Sequence, residues 1–519
     1  MQTTPPLSDN VDLRLRTRFT IDPSQARAIS PMIYGSNQRL PNVKRFSAYR
    51  LGGNRITGYN WVNNMSNAGN DYFHASDDYL VRHLPKEQRL IPGVLLTDFH
   101  RSALRDGAYD VVSLPMAGYV AADGLGPVDE DECAPSPRWK KLVLEKPADF
   151  TLTPDNTAPE VYIDECLHFI CTTEGAPDKG GIRAYMLDNE PALWAQTHAR
   201  LHPDKITWQE LVTRSVALAT AIKKIAPQAD VYGLVAYGFA EMLHLQEAPD
   251  ADTYGDRYAW LIDYYLDSMR QASEQSGIRL LDVLDVHWYP EVAGQLRITE
   301  PGLNTEAAVY NRLQATRTLW QEGFRDGTWI ANNYGHFLPL IPRLQASIDQ
   351  YFPGTRLSFS EINFGGGEHI SGAITAADYL GIFGTHDIYA AFFWPLGEEN
   401  DFIGAAYNLF LDYDGKGSAF GDTSIAASSD DVVNSAIYAA THAGNNDRLH
   451  LIILNKSTQP QLASFNMPDM HRYTHALEFR LEKDSPVITR HLVLMEDVYE
   501  GNICLPPLSV AHFVLSTEG

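Results

Sequence analysis

The chain has 519 residues, 44% hydrophobic and 20% charged, a balance that excludes a disordered protein and supplies a large core. Its formal charge of −24 repels phosphate backbones and argues against a nucleic-acid partner. There is no apolar run of the roughly 18 residues a membrane span needs, and the four cysteines include no CxxC pair, so neither a membrane nor thiol chemistry is expected in the function.

Taken in chain order, Val11–Ile21 places Leu13, Leu15 and Phe19 on alternating positions and reads as a strand that joins a distal β unit. Short apolar runs then alternate with longer helical ones. The extended candidates are Pro31–Gly35, Ala48–Leu51, Val111–Met116, Arg183–Asp188 and Asp230–Val235. They continue with Val283–His287, Thr328–Ala331, Arg356–Ser360 and Ile388–Trp394. Continuous apolar runs of this kind suit parallel strands covered on both faces. Between them, Pro159–Cys171 and Ala373–Phe383 read as helices, and the five-residue spacing of Cys166 and Cys171 argues against a disulfide. Thr207 and Glu210 form a capping-box pattern ahead of Leu211–Ile222, and Tyr258–Met269 carries a helical stripe that stops before Gly277.

One strand candidate is surplus to a closed eight-stranded barrel. Thr328–Ala331 is set aside, because it is short and precedes a helix punctuated by Pro339 and Pro342. Arg183–Asp188 then becomes the fourth strand, Val283–His287 the sixth and Arg356–Ser360 the seventh. Alternation alone favours α/β over α+β without separating a barrel from an open doubly wound sheet. After about Gly421 the texture changes to β-like runs at Leu449–Leu454, Ala476–Leu481, Val487–Leu494 and Leu508–Leu515, an all-β unit.

Four segments carry chemistry. DNEPALW, Asp188–Trp194, ends the fourth strand, where a carboxyl at a barrel mouth is well placed to react. Asn189 there can bond a sugar 2-hydroxyl, although a strand-terminal Asn-Glu-Pro turn is also common by chance. LDVHWYPE, Leu284–Glu291, offers His287 and Tyr289 to orient a carboxylate or hydroxyl and Trp288 as a flat face; its plainer reading is a buried aromatic cluster. Asp285, internal to that strand, reads as structural. SFSEINFGGG, Ser358–Gly367, runs an apolar strand into Glu361 and a glycine-rich loop that lets a polymer approach the backbone. The loop Arg50–Tyr72, rich in Asn, Gly and aromatics, places Arg50 and Asn54 beside Tyr59 and Trp61 as candidate sugar contacts. Two remote carboxyls, Glu190 and Glu361, are what glycoside hydrolysis requires.

These segments resemble glycoside hydrolase family 44, a family of endo-acting β-1,4-glucanases and xyloglucanases. The matching runs are YGSN (Tyr34–Asn37), LGGNRITGYNWVNNMSNAGNDY, GYVAADGLG, DNEPALWAQTHARLHP, LDVLDVHWYPE, SFSEINFGGGEHISG and DYDGKGSAFGDTS, in family order over residues 30 to 430. The resemblance implies an α/β chain, a (β/α)₈ TIM-like barrel with a second all-β sandwich built from both chain ends. The expected boundaries are 1–28, contributing to the sandwich, 29–421 for the barrel and 422–519 for the sandwich. It implies a retaining mechanism with Glu190 as acid/base and Glu361 as nucleophile. Ile362 departs from the tyrosine expected there. Trp61, Trp194, Trp288, Trp329 and Trp394 are candidates for lining the cleft, Trp394 beneath the reacting sugar.

No cofactor is required for such chemistry. The family implies a structural calcium ion, for which the acidic stretch Asp123–Glu132 is a candidate. The expected partner is a β-glucan polysaccharide or oligosaccharide, and a monomer is expected. A different retaining barrel glycosidase, xylanase or arabinofuranosidase, and a non-catalytic carbohydrate-binding protein are the alternatives. The first residues, MQTTPPLSDN, lack a basic region and an apolar core, which reads as a cytoplasmic protein or an exported one without its leader. A polymeric substrate favours the secreted, extracellular reading.

Overall fold

Eight parallel strands close into a barrel in chain order: Gly35–Ser36, Ala48–Leu51, Tyr109–Leu114, Ala184–Leu187, Asp230–Ala236, Val283–Trp288, Arg356–Ile362 and Ala390–Phe393. The computed structural model describes residues 15–292, 296–443 and 445–518, so the first four residues of the expected N-terminal strand lie outside it. Strands three to eight are almost wholly buried, because helices cover them outside and side chains fill them inside. Val111, Ala184, Met186, Tyr232, Val283 and Phe392 form an apolar plug in the barrel. The interior is thus a packed layer beneath the mouth rather than a channel.

The first strand is much shorter than Pro31–Gly35. Pro31–Ile33 instead forms a 3₁₀ turn in which the Ser30 hydroxyl accepts the Met32 N–H, and Pro31 loses nothing by having no N–H there. Thr328–Ala331 is helical: the Thr328 hydroxyl accepts the Ala331 N–H and starts the helix Trp329–Tyr334. Setting it aside from the barrel therefore agrees with the structure. Pro159–Cys171 divides into a short strand, Glu160–Tyr162, and the helix Ile163–Glu174, in which Cys166 and Cys171 are free thiols. Tyr258 precedes its helix, which runs Leu261–Ser276. Only half of the expected capping box forms: Thr207 caps Glu210 N–H at 3.0 Å, while the Glu210 carboxylate is engaged by His202 and Arg214.

Nine further strands form the large sheet of the β-sandwich, and six short ones, Glu160–Tyr162 among them, form two separate three-stranded sheets. The first strand of the chain, Leu15–Ala28, runs antiparallel to Thr423–Ser429 and parallel to Gln461–Asn466, tying the chain's start to its end. The sandwich's own core holds Phe19, Ile21, Ile437, Leu451, Ile453 and Phe513. On the alternate positions, Tyr438, Ile452, Leu454, Val510 and Val514 pack into the barrel's core cluster. Both faces of these strands are covered, which is why Leu451–Leu454 is continuously apolar although antiparallel.

The helix Ile370–Thr385, buried from Ile370 to Gly384, lies among these layers. An all-round apolar helix needs burial on every side. Its one acid, Asp378, accepts from Tyr438 Oη at 2.6 Å and pairs with Lys456 Nζ at 2.6 Å, both from the sandwich. Among the described residues, no helix is long and apolar enough to cross a membrane.

Candidate active site

Glu190 stands just past the end of the fourth strand on a strained turn. Asp188 and Glu190 both have positive φ, 67° and 46°, a left-handed conformation that costs non-glycine residues about 1–3 kcal/mol each. The turn is held from several directions. The Asp188 carboxylate accepts from Thr57 Oγ1 and from the Met116 and Asn189 N–H groups, and Glu190 N–H reaches Val235 O at 3.0 Å. Glu241, fully buried, accepts from Ala192 N–H at 3.1 Å and Tyr237 N–H at 2.8 Å, fastening the segment after Glu190 to the end of the fifth strand. Burial pushes the Glu241 carboxyl up to about 8 and that of Asp188 up to about 6.

Glu361 reaches the same mouth from the seventh strand. The pairing with the sixth strand slips between Val286 and His287, so that Val286 faces Phe359 while His287 faces Glu361. This bulge at Ser360 lets two consecutive residues, Ser360 and Glu361, both address the barrel interior. On the sixth strand Asp285, His287 and Tyr289 follow at alternate positions and share that interior. His287 Nδ1 lies 2.8 Å from Glu190 Oε1 and 3.5 Å from Glu361 Oε2, and Tyr289 Oη donates to Glu361 Oε2 at 2.8 Å.

Arg50, 1% exposed, is the buried cation of the site. Its Nη1 pairs with Glu361 Oε1 at 2.7 Å and reaches Asn37 Oδ1 at 3.1 Å, while Nη2 donates to Asn189 Oδ1 at 2.6 Å. Asn189 in turn donates to Asn54 Oδ1 at 3.2 Å. Gly52 makes room for this guanidinium, since a Cβ there would lie 2.4 Å from Arg50 Cζ. Beside it Gly53 has φ +85°, and a Cβ would meet the Trp394 ring at 2.7 Å. Glycine is therefore required at both positions for the loop to pass beneath Trp394.

Carboxylate oxygens of Glu190 and Glu361 and the His287 nitrogen all lie within 4.8 Å of one another. The two acids have different surroundings. Burial pushes the Glu190 carboxyl up to about 7, with Arg50 opposing and Asp71 adding to the shift, while Glu361 is held in an ion pair. Burial also lowers His287 to about 3, so its imidazole is neutral near pH 7.

A groove of about 720 Å³ opens beside this centre, lined by Asn37, Arg50, Gly53, Asn54, Tyr72 and Trp394 among others. Of the residues singled out from sequence, Arg50, Asn54, Asn189, Glu190, His287, Tyr289, Glu361 and Trp394 thus converge on one mouth. Three of the tryptophans offer no open face there. Trp61 is 2% exposed, packs on Phe169 and donates to Tyr162 O; Trp194 is wholly buried and Trp288 nearly so. A sugar cannot stack on a ring whose faces are already covered. Trp329 is exposed, sits edge-on to Phe239 and Tyr334, and is not among the residues lining this groove.

Tyr59 is also core, its hydroxyl spent on Asn64. The exposed aromatics of this region are Tyr72 and Tyr79, both on the groove, and Phe73. Asn37, Ser360, Asp285 and Glu241 are further site residues that the sequence reading did not single out for this role.

In the acidic stretch, Asp123 and Glu132 both bind the Arg138 guanidinium, at 2.9 and 2.8 Å, and Glu130 lies 3.4 Å from Arg200. The only convergence of three or more His, Cys, Asp or Glu side chains close enough for a metal, among the described residues, is Glu190, His287 and Glu361.

Comparison with known proteins places this geometry in context. The family model for glycoside hydrolase family 44 matches residues 65–292. The chain is 44% identical over 507 residues to Endoglucanase A of Paenibacillus lautus, covering 96% of this chain and 72% of that protein. It is 42% identical over 486 residues to the Beta-mannanase/endoglucanase A of Caldicellulosiruptor saccharolyticus, covering 90% of this chain but 36% of that longer protein. Among solved structures, the Paenibacillus polymyxa xyloglucanase of family 44, also solved with xyloglucan, superposes with a TM-score of 0.94 at 44% identity, covering 97% of this chain and 100% of that one.

Proposed function

Because this chain belongs to glycoside hydrolase family 44, we propose that it cleaves the β-1,4-glucan backbone of xyloglucan and soluble cellulose derivatives internally, with retention at the anomeric carbon. The observation that carries this reading is the approach of Glu190 and Glu361 to within 4.8 Å. Retaining enzymes hold their carboxyls about 5–5.5 Å apart, whereas inverting ones leave about 6.5–9.5 Å for a water. That separation, with the open groove beside it and the relatives' activities, supports a double displacement on a polymer.

In the first step Glu361 Oε attacks the anomeric carbon while Glu190 gives its proton to the departing glycosidic oxygen. The C–O bond breaks and a glycosyl ester forms on Glu361. Arg50 and Tyr289, bonded to the two Glu361 oxygens, aim the nucleophile. In the second step Glu190, now a carboxylate, takes a proton from water as the water oxygen displaces Glu361. Asn189, fixed by Arg50 and Asn54, is positioned for the sugar 2-hydroxyl, and Trp394 forms the apolar floor. Substrate capture needs no charge, which suits an acidic protein acting on a neutral polymer.

The pH dependence follows from Glu190. Its folded-state carboxyl is raised to about 7, so the acid form persists to near neutrality and is lost as pH rises through that value. Reducing ends released from xyloglucan should therefore give a kcat/KM that falls about tenfold per pH unit above roughly pH 7. An alkaline limb near pH 5 would remove Glu190 as the acid, and no reducing ends from any β-1,4-glucan would remove the substrate assignment.

A further inference from the structure

We propose that Asp285, acting through Ser360, fixes the tautomer of His287 so that its Nδ1 accepts a hydrogen bond, and thereby holds the catalytic proton on Glu190. This rests on Glu190 being the acid/base, and adds two positioning residues to that site.

The argument is a count of hydrogens along one buried chain. Ser360 Oγ makes a short hydrogen bond to Asp285 Oδ2, His287 Nε2 lies 3.1 Å from Ser360 Oγ, and His287 Nδ1 lies 2.8 Å from Glu190 Oε1. Asp285, His287 and Ser360 are all 0% exposed, so no solvent exchanges into the chain at those residues. A hydroxyl has one hydrogen, and a neutral imidazole has one. When Asp285 is ionised it accepts the Ser360 hydrogen. Ser360 Oγ must then accept from His287 Nε2–H, which leaves Nδ1 as a bare lone pair.

A lone pair at 2.8 Å from Glu190 is satisfied only by a carboxyl hydrogen, so the ionised Asp285 stabilises protonated Glu190. With the chain broken, the other tautomer becomes available. Nδ1–H then donates to Glu190 and favours its carboxylate, the form that cannot protonate a leaving group. The direction of every bond is therefore set from the Asp285 end.

The arrangement suits both half-reactions. Before glycosylation it keeps the proton on Glu190. Once that proton has gone to the leaving oxygen, Glu190 faces a lone pair rather than a donor, which raises its affinity for the proton of the incoming water. Burial, which leaves the second oxygen Oδ1 without a hydrogen-bond partner, pushes the Asp285 carboxyl up to about 7, while the Ser360 hydrogen bond and Arg50 oppose that shift and favour the ionised form. Its surroundings otherwise include Ser358, Arg50 and Glu361. Around Glu190 the other charged or titratable groups are Arg50, Asp71, Glu241, Tyr237, Tyr289 and Glu361. None of these is altered by changing Ser360.

The test compares Ser360→Ala, Ser360→Thr and Asp285→Asn in the full chain. For Ser360→Ala the alkaline limb of kcat/KM on xyloglucan oligosaccharides should move down by about one pH unit. Activity at pH 7 should fall about fivefold on these substrates, while aryl glycosides with acidic leaving groups should lose less than about twofold. Ser360→Thr, which keeps the hydroxyl, should restore the wild-type limb. ¹⁵N NMR of histidine-labelled wild type should place the His287 hydrogen on Nε2, and Asp285→Asn should shift it toward Nδ1.

A wild-type hydrogen on Nδ1 below the limb overturns the proposal whatever the variants do. So does a folded Ser360→Ala that keeps the wild-type limb and loses activity equally on both substrate classes. Glu190→Ala separates the two levels. If it retains the alkaline limb, the acid/base assignment itself fails; if it abolishes the limb while Ser360→Ala leaves it in place, only the relay fails.

Discussion

Glu361→Ala should lower kcat on xyloglucan by roughly 10⁴-fold or more, because no other group in the mouth can form the glycosyl ester. The change also strips Arg50 of its charged partner. Arg50 is fully buried and Glu361 nearly so, and removing one member of a buried pair costs about 3–5 kcal/mol. Some loss of thermal stability is thus expected alongside the loss of turnover. Glu361→Gln separates the two effects. Its amide oxygen still accepts from Arg50 Nη1, so it should melt close to the wild type and remain as inactive as the alanine variant. Thermal unfolding and turnover measured together check this, and an active Glu361→Gln would remove the nucleophile from the account.

Glu190→Ala should behave differently, because the proton it supplies matters only when the leaving group needs one. On xyloglucan the loss should be about 10²–10⁴-fold. On an aryl glycoside with an acidic leaving group, formation of the glycosyl ester should be nearly unimpaired, and its hydrolysis should become limiting. Azide fits the space left by the carboxyl and needs no base to attack. It should restore turnover and yield a β-glycosyl azide. A burst of phenolate followed by a slow phase that azide accelerates is the expected record. Equal losses on both substrates, with no response to azide, would point to a structural role for Glu190.

The barrel was legible because its strands are continuous apolar runs ended by turn chemistry, and Ala48–Leu51 matches the observed strand residue for residue. The first strand was not, since Pro31–Ile33 carries the same apolar signal while its proline and the Ser30 cap commit it to a helical turn. Sandwich strands were legible from turn spacing, but their two covered faces were not, because composition does not say which layer supplies the cover.

At the site, the acids announced themselves through strand-end position. The bulge that aims both Ser360 and Glu361 inward could not be read, as it exists only in the register between two strands. The tryptophans illustrate the opposite failure. A ring at a strand end can turn toward the groove or into the helical layer, and nothing in the letters decides between them; Trp394 turned one way and Trp61, Trp194 and Trp288 the other.

Asp285 reads as structural from sequence because it lies within a strand. The signal for more was present in the period of two. Asp285, His287 and Tyr289 must share one face, and Ser358 and Ser360 interrupt an otherwise apolar strand on the neighbouring one. Polar residues on an inward face of a barrel require partners, and Asp285, Ser360 and His287 find them in one another. Tyr72 and Tyr79, the exposed rings of the groove, sit in a segment whose buried Tyr59 and Trp61 looked equally suitable.

The most direct test of the central claim is the configuration of the sugar first released. ¹H NMR of xyloglucan oligosaccharides, recorded within minutes of adding enzyme and before mutarotation, should show the β-anomer accumulating ahead of the α. An α-anomer appearing first would mean a single displacement by water, and would contradict the assignment of Glu361 as the group that attacks the sugar.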